Sequence, residues 1–285
     1  MSAPAAAPPS YQTYESLTVD IADHVAEVVL RGPGKGNAMG PAFWREMPIL
    51  FSALDRDPAV RAIIIRGAGG HFSYGLDLAG MVMAGDLGPL LTGAPLAGPR
   101  ARLLDVIGDM QQACDRVAAC RKPIVAAITG RCIGGGLDLI AACDVRLCTG
   151  NASFSLREVK LAIVADIGSL QRLPYIIGEG HTRELALTGK DIDAARALRI
   201  GLVTEVFPDE AALLAAARQT AREIADNPPL AVQGVKQVMA FGQGKTVADG
   251  LRYAATWNAA FLHSKDLAEA MAAFIEKRKP VFTGE

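Results

Sequence analysis

The run Val60 to Arg66, with Ala62-Ile63-Ile64-Ile65 at its centre, constrains the fold more than any other stretch. Three successive β-branched residues beside an alanine leave no polar face, so a strand made of them is buried on both sides. That is the habit of a parallel sheet in an α/β protein. Leu17 to Ile21 and Val25 to Leu30 read as two short strands meeting at Ala22-Asp23-His24, with His24 simply a turn residue. Pro123 to Ile128 and Asp144 to Cys148 read as further strands. Between them, Phe43 to Asp55 reads as a helix weakened at Pro48, and Arg102 to Cys120 as an amphipathic helix. Strands thus alternate with helices up to about residue 207. Beyond Phe207 only helical patterns follow, at Glu210 to Ala225, Leu230 to Ala240, Val247 to Leu262 and Lys265 to Arg278. With no strands of their own to cover, their apolar stripes are expected to pack on the core or on a neighbouring subunit. Lys277-Arg278-Lys279 reads as a solvated helix end or a phosphate clamp. The segment Met81 to Pro99 is apolar without a period, which suits either a mobile wall over an apolar ligand or a surface insertion.

Several function classes are disfavoured. With 29 basic and 30 acidic residues the net charge is −1, so no global field draws in a nucleic acid. No window approaches eighteen uninterrupted apolar residues, and no membrane span is expected. The first ten residues are Ala/Pro-rich and uncharged, unlike a basic transit peptide, and the Thr283-Gly284-Glu285 end is not a peroxisomal address. A cytoplasmic location is the expectation. Cysteines at 114, 120, 132, 143 and 148 form no C-x-x-C pair and fit buried reduced thiols. The glycine loops Arg31 to Met39 and Gly244-Lys245-Thr246 lack the residues of a phosphate loop: no glycine stands at 29 or 239, and no Ser or Thr follows Lys35. His71 near Ser73 tempts a hydrolase reading, but the glycine that G-x-S-x-G needs at 71 is missing.

The chemistry concentrates between Arg131 and Asp166. Gly130-Arg131-Cys132-Ile133-Gly134-Gly135-Gly136 follows a strand and opens the helical pattern Leu137 to Cys143. Successive glycines allow close backbone approach, and a helix N-terminus offers unpaired N–H groups, so this hinge is built to bind an oxygen. A second glycine-lined loop, Gly67 to Leu78, also follows a strand. Asp138, Glu158 and Asp166 are acids hard to explain as surface, and Asp138 and Asp166 lie in otherwise apolar segments. Plainer readings exist for two of them, a helix-terminus carboxylate for Asp138 and a cap ahead of a Gly168 to Ile176 helix for Asp166.

Over roughly residues 14 to 280 the chain resembles the crotonase, or enoyl-CoA hydratase/isomerase, superfamily. The resemblance rests on Asn37-Ala38-Met39, on Phe72-Ser73-x-Gly75-x-Asp77-Leu78, and on Gly134-Gly135-Gly136 followed by Ala142-Cys143-Asp144-Val145-Arg146. It implies an α/β fold, a spiral of ββα units with a C-terminal α-helical trimerisation region. The division expected is a disordered arm at 1–13, the core at 14–207 and the helical region at 208–285. It further implies an acyl-CoA thioester substrate, with the thioester oxygen held by the backbone N–H groups of Leu76 and Gly135. Ala38, Ser73, Gly75, Asp77 and Gly134 would line the substrate. No cofactor or metal is implied, no nucleic-acid or membrane partner, and a homotrimer or homohexamer.

Within the superfamily the sequence looks most like the Δ3,5-Δ2,4-dienoyl-CoA isomerases of fatty-acid β-oxidation, whose three acids fall on Asp138, Glu158 and Asp166. The stretch Ala165-Asp166-Ile167-Gly168-Ser169-Leu170-Gln171-Arg172-Leu173-Pro174 carries the same likeness. The subgroup's assignment makes Glu158 the base at C2, Asp166 the acid at C6, and Asp138 an orienting or stabilising group. Shifting a 3,5-diene into 2,4-conjugation asks for two carboxyl groups at opposite ends of a dienolate. The alternatives are an enoyl-CoA hydratase, in which Asp166 would have no task, and more distantly a CoA- or RNA-binding member without chemistry.

Overall fold

The structure, a computed structural model, describes residues 11, 13–84 and 97–285. The proposed Met1 to Ser10 arm and most of the Met81 to Pro99 wall lie outside the described residues. β1 (Leu17–Ala22) and β2 (Val25–Leu30) form an antiparallel hairpin. Asp23 and His24 take φ of 49° and 64°, the paired left-handed conformation whose twist suits a two-residue turn. His24 does more than turn the chain. Its Nδ1 lies 2.9 Å from the Ala59 carbonyl and its own carbonyl accepts from Arg61 and Ala62, tying the hairpin to the next strand.

From β2 onward every neighbour in the main sheet is parallel: β3 (Ala62–Gly67), β4 (Ile124–Ile128), β6 (Val145–Thr149) and β9 (Glu205–Phe207). Ile63, Ile64 and Ile65 are all buried, as an unbroken apolar run demands. Ile63, Ile65, Ile124, Ala126 and Ile128 face the larger core, which includes Phe43, Trp44, Met47 and Leu50 of the helix Pro41–Arg56. That helix runs on through Pro48, its buried face outweighing one lost hydrogen bond. The other pleat, Ala62, Ile64, Val125, Ala127 and Leu147, is covered by Leu213, Ala217, Ala221 and Ala225. Their four-residue spacing puts one stripe of the helix Glu210–Ala225 flat on the sheet. This helix thus packs on the core, one of the two places expected for the apolar stripes after Phe207.

A second sheet, of β5 (Arg131–Ile133), β7 (Ser153–Ser155) and β8 (Ile192–Asp193), crosses the glycine hinge. Strands this short carry no periodicity to read. Isolated bridges join Ser73 to Cys132 and Met39 to Leu76, stitching both glycine loops to this region. The helices Pro229–Gly242, Val247–Phe261 and Lys265–Glu276 complete the chain. Phe241 stacks on Tyr253 at 4.1 Å, and Gly234 lets Trp257 lie against its backbone. Arg278 pairs with Glu269 and Glu276, and Lys279 with Asp226, so this basic run is an ion-paired helix end. No helix among the described residues is long and apolar enough to cross a membrane.

Candidate active site

Asn37 builds the first wall. Held at φ 47°, it donates from Nδ2 to the carbonyls of Ala68 (2.8 Å), His71 (2.8 Å) and Phe72 (3.3 Å), clamping one glycine loop onto the other. Ser73 Oγ donates to the Asn37 carbonyl at 2.9 Å and accepts from the Gly75 N–H at 3.0 Å. Met39 N–H donates to Gly75 O and Asp77 N–H to Met39 O, at 2.8 and 3.1 Å, so the Leu76 N–H between them points out of the ladder. Gly75, at φ 81°, lies so close to the hinge that a Cβ there would stand 2.7 Å from Ile133 O and 3.2 Å from Gly135 N. Gly135 opens the helix Gly135–Ala141, where the N–H groups have no intrahelical acceptor. Neither Leu76 nor Gly135 N–H has an acceptor among the described residues. Two free donors on adjoining loops are the arrangement an oxyanion site requires.

Two expectations for this wall change. Ser73 is fully buried and its hydroxyl is consumed inside the loop, so it shapes Gly75 and does not face a ligand. Asp77 caps the short helix Leu78–Met83 by accepting from Gly80 N–H at 3.0 Å. Both side chains are structural. Ala38, half-buried beside Met39, and Gly75 and Gly134 remain on the loop edges. His71 is engaged by Arg131 N–H and Tyr74 Oη, away from the Ser73 hydroxyl.

The acids converge. Asp138 sits in the first turn of Gly135–Ala141, only 1% exposed, where loss of solvent pushes its carboxyl up to about 6. Ser169 and Arg172 pull it down, and Asp166 raises it. Glu158 opens the 3-10 turn Glu158–Leu161, and its Oε1 would be 3.0 Å from a Cβ on Gly134, which takes φ 53°. Burial, then the charge of Asp138 and more weakly that of Asp166, push Glu158 up to about 7. Burial raises the half-buried Asp166 as well. These mutual effects place the three carboxyls within one electrostatic neighbourhood.

The two plainer readings are decided by hydrogen bonds. Asp138 Oδ1 accepts from Ser169 N–H at 2.6 Å. It thus caps the first N–H of a different helix, Ser169–Thr188, whose own N-cap residue Gly168 supplies no side chain. Asp166 is not that cap. Its carbonyl is instead held by Gln111 Nε2 at 2.7 Å, across 55 positions. Gln111, Ser169 and Arg172, which also donates to Ile167 O, are the positions that sequence reasoning gave no role at the site. Only the close packing of three helices reveals them. A cleft of about 580 Å³, lined by Ala141, Cys143, Arg146, Arg172 and Val232, lies at the far end of the Asp138 helix, and none of the acids lines it. Among the described residues no three His, Cys, Asp or Glu side chains are grouped to hold a metal ion.

A parallel-sheet core with a backbone donor pair facing buried acids defines a crotonase-type site, and known proteins agree. Residues 20–285 match the family model for enoyl-CoA hydratase/isomerase. The chain is 43% identical to a mitochondrial Delta(3,5)-Delta(2,4)-dienoyl-CoA isomerase of Dictyostelium discoideum, over 94% of this chain and 91% of that protein. It is 42% identical to a peroxisomal one of Arabidopsis thaliana, over 96% and 98%. The crystal structure of an enoyl-CoA hydratase from Bacillus anthracis superposes with a TM-score of 0.85 at 32% identity, covering 95% of this chain and all of that one. The chain belongs to the enoyl-CoA hydratase/isomerase family. The expected cytoplasmic location is overturned by these relatives, which are mitochondrial and peroxisomal. The uncharged, Ala/Pro-rich composition of the first ten residues was too weak a ground for it.

Proposed function

We propose that this protein isomerises 3,5-dienoyl-CoA to 2,4-dienoyl-CoA, a step of fatty-acid β-oxidation. The observation that carries the reading is the third acid. Hydration needs two carboxyl groups around one water, whereas Asp166 adds another raised carboxyl in the same neighbourhood as Glu158 and Asp138. The dienoyl-CoA isomerases among the relatives support the same choice.

In this mechanism the thioester oxygen lies between Leu76 and Gly135 N–H. Each donor lowers the barrier by about 3 kcal/mol as negative charge collects there. Ionised Glu158 takes the C2 proton, giving Glu158-COOH and a dienolate, and protonated Asp166 gives its proton to C6. Solvent then returns Glu158 to the anion and Asp166 to the acid. A base poised near 7 suits neutral pH, and burial shifts Asp166 in the direction an acid needs. Asp138 orients the site by fixing the Ser169 end of the segment that bears Asp166.

The exposed apolar side chains of the C-terminal helices, Met271, Phe274 and Ile275 among them, support assembly as a homotrimer or homohexamer. We place the functional division at the end of Glu210–Ala225, with the arm and core before it and the assembling helices after. The deciding assay follows absorbance with a 3,5-dienoyl-CoA and with a 2-enoyl-CoA as separate substrates, chelator present. Diene turnover that survives the chelator is the expected result. Efficient hydration of the 2-enoyl-CoA without diene turnover overturns the reading.

A further inference from the structure

Asp166 sits on a stretch of chain that does not hold itself in place. Residues 163–166 belong to no helix or strand, and among the described residues 164–167 make no main-chain hydrogen bond to the rest of the fold. The Asp166 carboxyl meets no side-chain donor there either, and the hydrogen bond acting on it comes from its own backbone N–H. Such a segment keeps one position only if bonds are supplied from outside it. A group that delivers a proton to one carbon must be held within about 0.5 Å of its working position.

The bonds come from the helix Ala97–Ala119. Gln111 Nε2 donates to the Asp166 carbonyl at 2.7 Å. Asp115, one turn further along the same face, pairs with Arg172, whose Nη1 donates to the Ile167 carbonyl at 3.3 Å. Two consecutive carbonyls are thus gripped from one face of one helix. Gly168 leaves room for the grip, since a Cβ there would stand 1.9 Å from Arg172 Nη1, and Ser169 N–H ends the segment on Asp138 Oδ1 at 2.6 Å. The gripping helix is itself fixed, with Ala113, Cys114 and Val117 buried in the larger core.

We propose that Gln111 is a positioning residue, which aims the Asp166 carboxyl at C6 of the substrate by holding the Asp166 carbonyl to the helix Ala97–Ala119. The role rests on the isomerase reading and deepens it, because the two ends of the dienolate are then served by separate supports. Glu158 stands on the 3-10 turn Glu158–Leu161, and Asp166 hangs from this helix. Loss of the Gln111 donor therefore reaches proton delivery at C6 and spares proton removal at C2. An amide suits the task because it donates without bringing a charge beside the carboxyl. A glutamine that merely satisfied a carbonyl would cost stability when removed and leave both transfers alike.

The test compares the full-length wild type with Gln111→Met, which keeps the side-chain length and removes the donor, and with Gln111→Glu, which keeps the shape and at neutral pH has no proton to donate. In the folded variants isomerisation of a 3,5-dienoyl-CoA should fall about tenfold, short of the ~10²-fold that a full 1 Å misplacement can cost, while C2 protons exchange with deuterated solvent at the wild-type rate. Added to Asp166→Asn, Gln111→Met should cost nothing further, because it acts only through the missing acid. Crystal structures of the wild type and Gln111→Met should show the Asp166 carboxyl displaced and Ser169 N–H still on Asp138. Exchange and isomerisation falling together, a further loss in the double variant, or an undisplaced carboxyl overturns the proposal. So does failure of both single variants to fold, since Gln111 would then be a structural support alone. A wild type inactive on dienes whose Asp166 still moves in Gln111→Met defeats the isomerase reading and leaves Gln111 as the residue that places this carboxyl.

Discussion

Every residue of the helix Gly135–Ala141 is buried, Asp138 included, whereas the helix Val247–Phe261 buries none, although Val247, Leu251 and Phe261 lie on it. The first region takes acids inside, and the second leaves apolar side chains outside. Each arrangement costs free energy in the isolated subunit. The compensation differs. Around Asp138 the subunit supplies one backbone N–H, and Glu158 keeps an oxygen with no partner, so the cost is balanced by chemistry on a ligand. Among the described residues, the C-terminal helices leave no buried acid oxygen without a partner. Their buried Asp266 accepts from Thr283 N–H at 2.7 Å and Gly284 N–H at 3.0 Å, and pins the chain end. A buried acid that is fully bonded is architecture, and one left short of donors is a candidate for proton transfer.

Neutralising acids on the two sides should therefore give unlike results. Glu158→Gln is expected to lose about 10³-fold or more in kcat, together with exchange of the C2 protons, while melting as a folded protein. Asp166→Asn should lose about 10²-fold in product formation yet keep C2 exchange with deuterated solvent, because Glu158 can still form and reprotonate the dienolate. Both rates come from one NMR time course. An unchanged ratio of exchange to isomerisation in Asp166→Asn removes Asp166 from the catalytic set. On the other side, Asp266→Asn should leave turnover per folded subunit intact and cost about 1–3 kcal/mol in denaturant unfolding. A variant pair Phe274→Glu and Ile275→Glu probes the apolar half of the comparison. Phe274 and Ile275 are 85% and 74% exposed in the subunit, so the charges should spare folding and lower the sedimenting mass. An unchanged mass would show that these side chains do not hold the assembly.

Much of this was readable in the chain because it was written in local patterns. The Ala62 to Ile65 run gave a parallel sheet, and the helix Glu210–Ala225 was expected at its observed limits. Asp138 and Asp166 stood out because each interrupts apolar sequence, whereas Glu158, between Arg157 and Lys160, was legible only through the family resemblance. What stayed hidden depends on contacts between distant segments. Ser73 and Asp77 have the residue types of ligand contacts, and only the hydrogen bonds to Asn37, Gly75 and Gly80 reveal them as loop and cap. The Gln111 link to Asp166 spans 55 positions, and β5, β7 and β8 are two or three residues long. No propensity or period reaches that far or works on so few residues.

The smallest effect separates the regions by sign. Burial and Asp138 raise Glu158 from the ordinary 4.5 to about 7 in the folded protein, so between those values the folded state binds more proton than the unfolded chain. Stability must then fall as pH rises through that window, and the loss is complete above about 7. Gln cannot ionise, so Glu158→Gln escapes the loss, and its melting temperature relative to the wild type should climb from pH 5 to pH 8. A few degrees is the expected size, since solvent reaching the partly exposed carboxyl screens the cost. Asp266→Asn should be destabilising at both pH values, because at each it removes an acceptor bonded to two backbone N–H groups. If Glu158→Gln instead tracks the wild type across this range, Glu158 is not held protonated by the fold, and its role as a base poised near neutrality falls with it.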